Sequence, residues 1–179
     1  MSSLNYDVVF VAGVHGVGKS TLCGSLGETL GLMHLSAGDV IKSEIKAAQV
    51  ASKRVKDVTG NQNALLNGLI RVDCTNTLIL DGHFTLLDKD CCITNIEKSV
   101  FERINLIGVI VVEDKPEKIR ERLMLRDSTD VDVSFIEEHQ LCEIANGKNV
   151  CEELNIPMLI SSLDRSDDML SFISCCLDN

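Results

Sequence analysis

One short run constrains this chain more than anything else in it. Gly13-Val14-His15-Gly16-Val17-Gly18-Lys19-Ser20-Thr21 fills the pattern G-x-x-x-x-G-K-[ST], with the β-branched run Asp7 to Ala12 before it and helical spacing over Lys19 to Leu30 after it. Strand, glycine-rich turn and helix in that order make a cradle for phosphate. The glycines let the backbone curl so that successive N–H groups point inward, and the helix aims its positive dipole end at the same spot. Gly13, His15, Gly16, Val17, Gly18, Lys19, Ser20 and Thr21 are the candidate phosphate-binding residues. Lys19 is placed to reach the β and γ phosphates of a nucleoside triphosphate, and the Ser20 hydroxyl to ligate Mg²⁺.

The rest of the chain alternates in the same way. Further strands are predicted over Met33 to Ser36, Thr77 to Asp81, Ile107 to Val112 and Pro157 to Ser161, most of them apolar as for parallel strands covered on both faces. Helices are predicted over Asp39 to about Ala51, Gln62 to about Cys74, Pro116 to Arg126, Ser134 to about Asn155 and Asp167 to Cys176. Gly31 fits a helix stop, Pro116 a first-turn position, and Ser134 with Glu137 a capping box. Alternating units of these lengths predict a three-layer α/β/α sandwich on a five-stranded parallel sheet, with ligands at the carboxyl ends of the strands. At 179 residues, with no repeat or proline-rich linker, the chain is expected to be one domain over 1–179.

Charge narrows the partners. Seventeen Lys and Arg stand against 27 Asp and Glu, a net charge of -10, and aromatic residues are 3% with no Trp. That is the wrong sign for gripping a phosphate backbone and too few rings for base stacking, so no nucleic acid polymer and no membrane is expected as partner. The eight cysteines show no zinc-type spacing and read as buried apolar residues of a reduced protein. The opening residues have neither a basic flank nor a long apolar stretch, so the expected location is cytoplasmic.

A phosphate loop by itself does not separate kinases, GTPases and ATPases. No N-K-x-D guanine reader is present, and a mechanochemical ATPase would usually be longer. Three other segments discriminate better. Leu35-Ser36-Ala37-Gly38-Asp39-Val40-Ile41-Lys42 resembles the S-T-G-D-x-x-R segment of adenylate kinases, Leu78-Ile79-Leu80-Asp81-Gly82 their I-L-D-G segment, and Arg122-Leu123-Met124-Leu125-Arg126 the R-L-x-x-R where their lid begins. Ile136-Glu137-Glu138-His139-Gln140 is similar to a segment of the archaeal type. The chain thus resembles adenylate-kinase-like P-loop nucleoside monophosphate kinases, nearest the archaeal type and its bacterial relatives.

That resemblance implies a sheet of order 2-3-1-4-5, an acceptor-binding helical arm at about 39–76, a short lid loop at about 126–134, and a monomer or small homo-oligomer. It implies transfer of the γ-phosphoryl group from ATP, with Mg²⁺, to a small phosphorylated acceptor. Lys19, Arg122 and Arg126 would be catalytic, the two arginines lying four apart on one helix face. Ser20, Asp39 and Asp81 would hold the metal, and Asp39, Lys42, Arg54, Arg71 and His83 would bind the acceptor. Asp39 could equally cap its helix. Where the family's aspartate-glycine turn continues Phe-Pro-Arg, this chain has His83-Phe84-Thr85, and Lys42 stands where the family has arginine. Two alternatives stay open: an ATP-binding regulatory module acting on a protein partner, and a kinase of a small hydroxyl compound with Asp39 as activating carboxylate.

Overall fold

The computed structural model describes residues 4–51 and 60–178. The chain opens with β1 (Asp7–Ala12), α1 (Lys19–Leu30), β2 (Met33–Ser36), α2 (Ala37–Ala51), α3 (Gly60–Ile70) and β3 (Thr77–Gly82). It continues with β4 (Thr85–Leu87), β5 (Ile93–Asn95), α4 (Lys98–Phe101), β6 (Leu106–Glu113), α5 (Pro116–Asp127), α6 (Val133–Leu154), β7 (Met158–Ser162) and α7 (Ser166–Leu177). The five main strands form one parallel sheet in the order β2-β3-β1-β6-β7, which is 2-3-1-4-5 once the β4-β5 hairpin is set aside. The α/β fold and its sheet are as the sequence leads one to expect.

Alternation along β1 explains why the sheet is covered twice. Val8, Phe10 and Ala12 join a core with Leu65, Leu69, Leu78, Leu80, Phe84, Phe101 and Val150 on one face. Val9 and Val11 join Cys23, Leu26, Ile79, Ile110, Ile119, Ile136 and Ile173 on the other. Successive side chains of a strand point to opposite faces, so an unbroken apolar run requires a helical layer on each side.

Two local expectations change. Helix α6 starts at Val133, and its N-cap is Asp132, whose carboxylate accepts from Ser134 N at 2.8 Å and from Ser134 Oγ at 2.6 Å. The capping box read from Ser134 and Glu137 is therefore displaced by an acid two residues earlier, whose carboxylate takes the first-turn donor itself. Helix α2 begins at Ala37, so Asp39 lies inside its first turn and is not its cap. The hairpin β4-β5, antiparallel from Thr85↔Asn95 to Leu87↔Ile93, is an element the sequence reading did not foresee.

Candidate functional site

Strand β1 is central, so its carboxyl end opens where the chain order of the sheet reverses between β3 and β6. The loop from Gly13 to Gly18 occupies that spot. Gly16 and Gly18 adopt φ of 83° and 105°, left-handed values that glycine accepts without a Cβ clash. Gly18 is the N-cap of α1 and no side chain caps that helix, so its first-turn N–H groups face the loop. Lys19 is 7% exposed and turns back under the loop, donating to Gly13 O at 2.7 Å and Val14 O at 3.3 Å. Burial pulls its pKa down to about 8, against the opposing pull of Glu143 and Asp81.

A cleft of about 350 Å³ gathers most of the residues singled out by the sequence: His15, Gly16, Gly18, Lys19, Ser20, Thr21, Asp39, Lys42, Asp81, His83 and Arg126, together with Ser36, Gly38 and Gly82. Gly13 and Val17 are buried behind it. A second, more open cleft of about 520 Å³ shares Ser20, Ser36 and Asp39 and runs between β2, α2 and α3 along Val40, Glu44 and Gly68. The other candidates lie elsewhere. Arg71, just past the end of α3, pairs with Glu44 of α2 at 3.1 Å, is mostly exposed, and is absent from both clefts. Arg54 lies outside the described residues.

Arg122 and Arg126 share a helix face but not a site. Arg122 donates to Asp114 Oδ2 at 2.6 Å and to Val17 O at 3.1 Å, beside a separate cavity of about 510 Å³ that Lys118 and Leu163 also line. Burial pushes the Asp114 carboxyl up, but the Arg122 bond and the Lys115 N–H outweigh it and leave its pKa low. Arg126 faces the phosphate cleft, where it donates to Asp127 Oδ2 at 2.7 Å and to His15 Nε2. Its bond to Asp127 holds that carboxyl down at about 2.

Asp81, 4% exposed, is the penultimate residue of β3, opposite Val11 and Ser36. Its Oδ2 lies 2.6 Å from His34 Nε2, a β2 residue that the sequence reading passed over. Cys23 from α1 completes a trio with His34 and Asp81 whose donor atoms lie within 4.8 Å of one another. Burial raises the Cys23 thiol pKa, so it stays protonated. The hydroxyl of Ser20 and the carboxylates of Asp39 and Asp81 offer the hard oxygen donors that Mg²⁺ requires, and all three open on the same cleft. His83 is half-buried and its pKa is pushed down to about 3, first by burial and then by Lys19 and His15. It is a neutral imidazole, not a stand-in cation.

Helix α6 organises all of this from below. Gln140 grips the backbone of Asp114 twice, accepting from its N at 3.0 Å and donating to its O at 2.9 Å, which sets the acid that holds Arg122. Glu143, 1% exposed, accepts from Gly13 N, Phe84 N and Thr85 N and from the Thr85 hydroxyl. Burial raises its pKa, opposed by the Thr85 and Phe84 bonds and by the Lys19 charge. His139 Nε2 lies 3.1 Å from Thr85 Oγ1, and Asn146 donates to Phe84 O at 2.7 Å. The sequence does carry a signal for this set. Polar residues at 139, 140, 143 and 146 recur at helical spacing on a face whose neighbours, Ile136 and Val150, are core.

The model of one protein family, described as an AAA domain, matches residues 12–140. The chain belongs to this family. It is also similar to adenylate kinases, in keeping with the segments at Leu35–Lys42, Leu78–Gly82 and Arg122–Arg126. An adenylate kinase of Solanum tuberosum is 24% identical over 155 residues, 85% of this chain and 46% of that protein. UMP-CMP kinase 3 of Oryza sativa subsp. japonica is 26% identical over 168 residues, 88% of this chain and 77% of that protein. The chain thus spans less than half the length of the first relative and most of the second. Among solved structures, a gluconokinase from Sinorhizobium meliloti 1021 superposes with a TM-score of 0.51 over 99% of this chain and 94% of that one, at 10% identity, a likeness of fold. Among the described residues, no helix of this AAA domain chain is long and apolar enough to cross a membrane.

Proposed function

We propose that this chain is an ATP-dependent phosphotransferase, and that its acceptor is a nucleoside monophosphate. One observation carries the reading: the phosphate cleft under Gly13–Thr21 shares the wall formed by Ser20, Ser36 and Asp39 with a second cleft at the α2–α3 arm. A nucleotide switch needs the first cleft alone. Two substrates meeting end to end need both. The similarity to adenylate and UMP-CMP kinases supports the same acceptor class.

In this reading the domain is one catalytic unit over 1–179, with the arm at 39–76 and the lid loop at 126–134. The backbone N–H groups of Gly16 to Lys19 and the α1 terminus take the β phosphate. Lys19 exchanges its carbonyl partners for phosphate oxygens. Ser20 and Asp81, with Asp39 further out, would hold Mg²⁺, which neutralises phosphate charge when bound. Arg126 faces the transferring group and opposes the charge spread over its equatorial oxygens, whereas Arg122 steadies the loop from outside through Val17 O. An acceptor phosphate is already ionised, so no strong base is required and positioning carries the rate. Lys42, paired with Asp39 at 3.6 Å, and neutral His83 form the acceptor side.

The test is a panel of nucleoside monophosphates and small hydroxyl compounds supplied with Mg-ATP, with each product identified. Phosphorylated monophosphate is the expected product. Transfer only to a hydroxyl compound would move the reading to a small-molecule kinase with Asp39 as base. ADP and free phosphate with every acceptor, together with an inactive Lys19→Ala variant, would leave a regulatory ATPase.

A further inference from the structure

Glu143 carries more bonds than a fastener of the turn after β3 needs. That turn is already fixed without it. Phe84 is fully buried against Phe10 and Phe101, with ring centroids 5.2 and 4.8 Å away. Its carbonyl accepts from Ile96 N at 2.8 Å and from Asn146 Nδ2 at 2.7 Å. What Glu143 adds is a connection to the phosphate loop. Its Oε1 accepts at once from Phe84 N at 2.7 Å and from Gly13 N at 3.2 Å, while Oε2 takes Thr85 N at 2.8 Å and the Thr85 hydroxyl. Gly13 is thereby held at its N–H by Glu143 and at its carbonyl by Lys19. Burying a carboxylate is costly unless it is well bonded, and only an ionised carboxylate, which has no donor of its own, can accept at both oxygens from four donors.

We propose, building on the phosphotransferase reading above, that Glu143 is a positioning residue that sets the spacing between the phosphate loop and the His83 turn. It acts on transfer between two bound substrates and leaves ATP binding nearly untouched. His83, two residues before Thr85, lines the phosphate cleft, so the turn that Glu143 holds is a wall of the reaction space. Gly13 and Phe84 share one oxygen, so a shift of the loop on loading phosphate alters the bond that holds the turn. The two sides of the cleft then move as a unit.

The test compares wild type with Glu143→Gln, whose amide sets an N–H donor against at least one backbone N–H, and with Thr85→Val, which deletes the hydroxyl's contacts with Glu143 and His139 and spares the bonds of Glu143 to Gly13 N, Phe84 N and Thr85 N. Three quantities are measured: affinity for the magnesium complex of a non-hydrolysable ATP analogue, kcat for transfer to AMP or UMP, and the fraction of ADP formed by hydrolysis. For Glu143→Gln the affinity should stay within about threefold, kcat should fall about 100-fold, and the hydrolysed share should rise about tenfold, as a misplacement near 1 Å predicts. Thr85→Val should keep the partition within about twofold of wild type, because the Gly13 link survives. Equal losses of affinity and kcat in Glu143→Gln, or no change in any quantity, would overturn the proposal and leave a structural acid. A wild type that transfers to no monophosphate sinks the monophosphate-acceptor reading instead. The linkage is then judged on wild type alone, by the amide NMR signals of Gly13, Phe84 and Thr85. All three should move when the analogue binds, and stationary Phe84 and Thr85 signals would end the proposal even if the variant does not fold.

Discussion

Lys19→Met separates what the buried ammonium does for folding from what it does for phosphate. The wild-type side chain gives up water to sit beneath the loop, and its pKa falls from the ordinary 10.5 to about 8. At about 1.4 kcal/mol per pH unit, that burial disfavours the charged native state by roughly 3 kcal/mol. Two hydrogen bonds to carbonyls offset it, one of them at 3.3 Å and weak, each worth about 1.5–3 kcal/mol at most. The opposing contributions nearly cancel, so at pH 7 the variant should lie within about 1–2 kcal/mol of wild type. The pH dependence should not cancel. Native Lys19 releases its proton near pH 8 and the unfolded chain near 10.5, so in that window the unfolded state binds more protons and wild-type stability rises with pH. Urea denaturation from pH 7 to 10.5 should show wild type gaining about 3 kcal/mol over Lys19→Met. ATP affinity should fall over the same range as the free protein loses the charge, and in the variant it should be low at every pH. A stability difference that stays flat between pH 8 and 10.5 would refute the desolvated-ammonium argument.

Two further outcomes follow from the cleft walls. Arg126→Ala should lower kcat by about 100-fold with little change in the ATP KM, whereas Arg122→Ala, whose partners are Asp114 and Val17 O, should act mainly on KM; steady-state kinetics that show the reverse would exchange their roles. Gly16→Ala would place a Cβ 2.8 Å from two atoms of buried Leu123 at φ 83°, so it should destabilise by about 2–3 kcal/mol and be visible as a lowered urea midpoint.

Much of the fold could be read ahead of the structure because its signals are local. The five main strands lie within one residue of their expected ends, since most of them are apolar runs bounded by turn-forming or charged residues. The β4-β5 hairpin escaped because each strand has three residues, Leu86 and Leu87 face outward, and the turn between is set by Asp88 Oδ1 accepting from Asp90 N and Cys92 N. The phosphate loop was legible as a contiguous motif. Its supports were not, because Glu143 stands 130 residues from Gly13, and His34 stands 47 residues from Asp81. The i, i+4 spacing of Arg122 and Arg126 was equally real on the helix. Their separation depends on Asp114, an acid in the β6–α5 connection that spacing within α5 does not reveal.

The single register of α6 has a consequence for how this chain can vary. Gln140, Glu143 and Asn146 reach three different parts of the protein from one helical face, and Gly147 leaves room for Phe84 where a Cβ would meet its ring at 3.1 Å. Each residue of an α-helix turns by about 100°, so losing or gaining one residue between Asp132 and Gln140 would swing the whole set away from its partners unless the helix end refolded. Substitutions on the outer face leave that set alone. In a lineage of such chains, α6 is therefore free to change its exposed letters but not its length, and insertions belong after Asn155, where the helix has already ended in a left-handed residue.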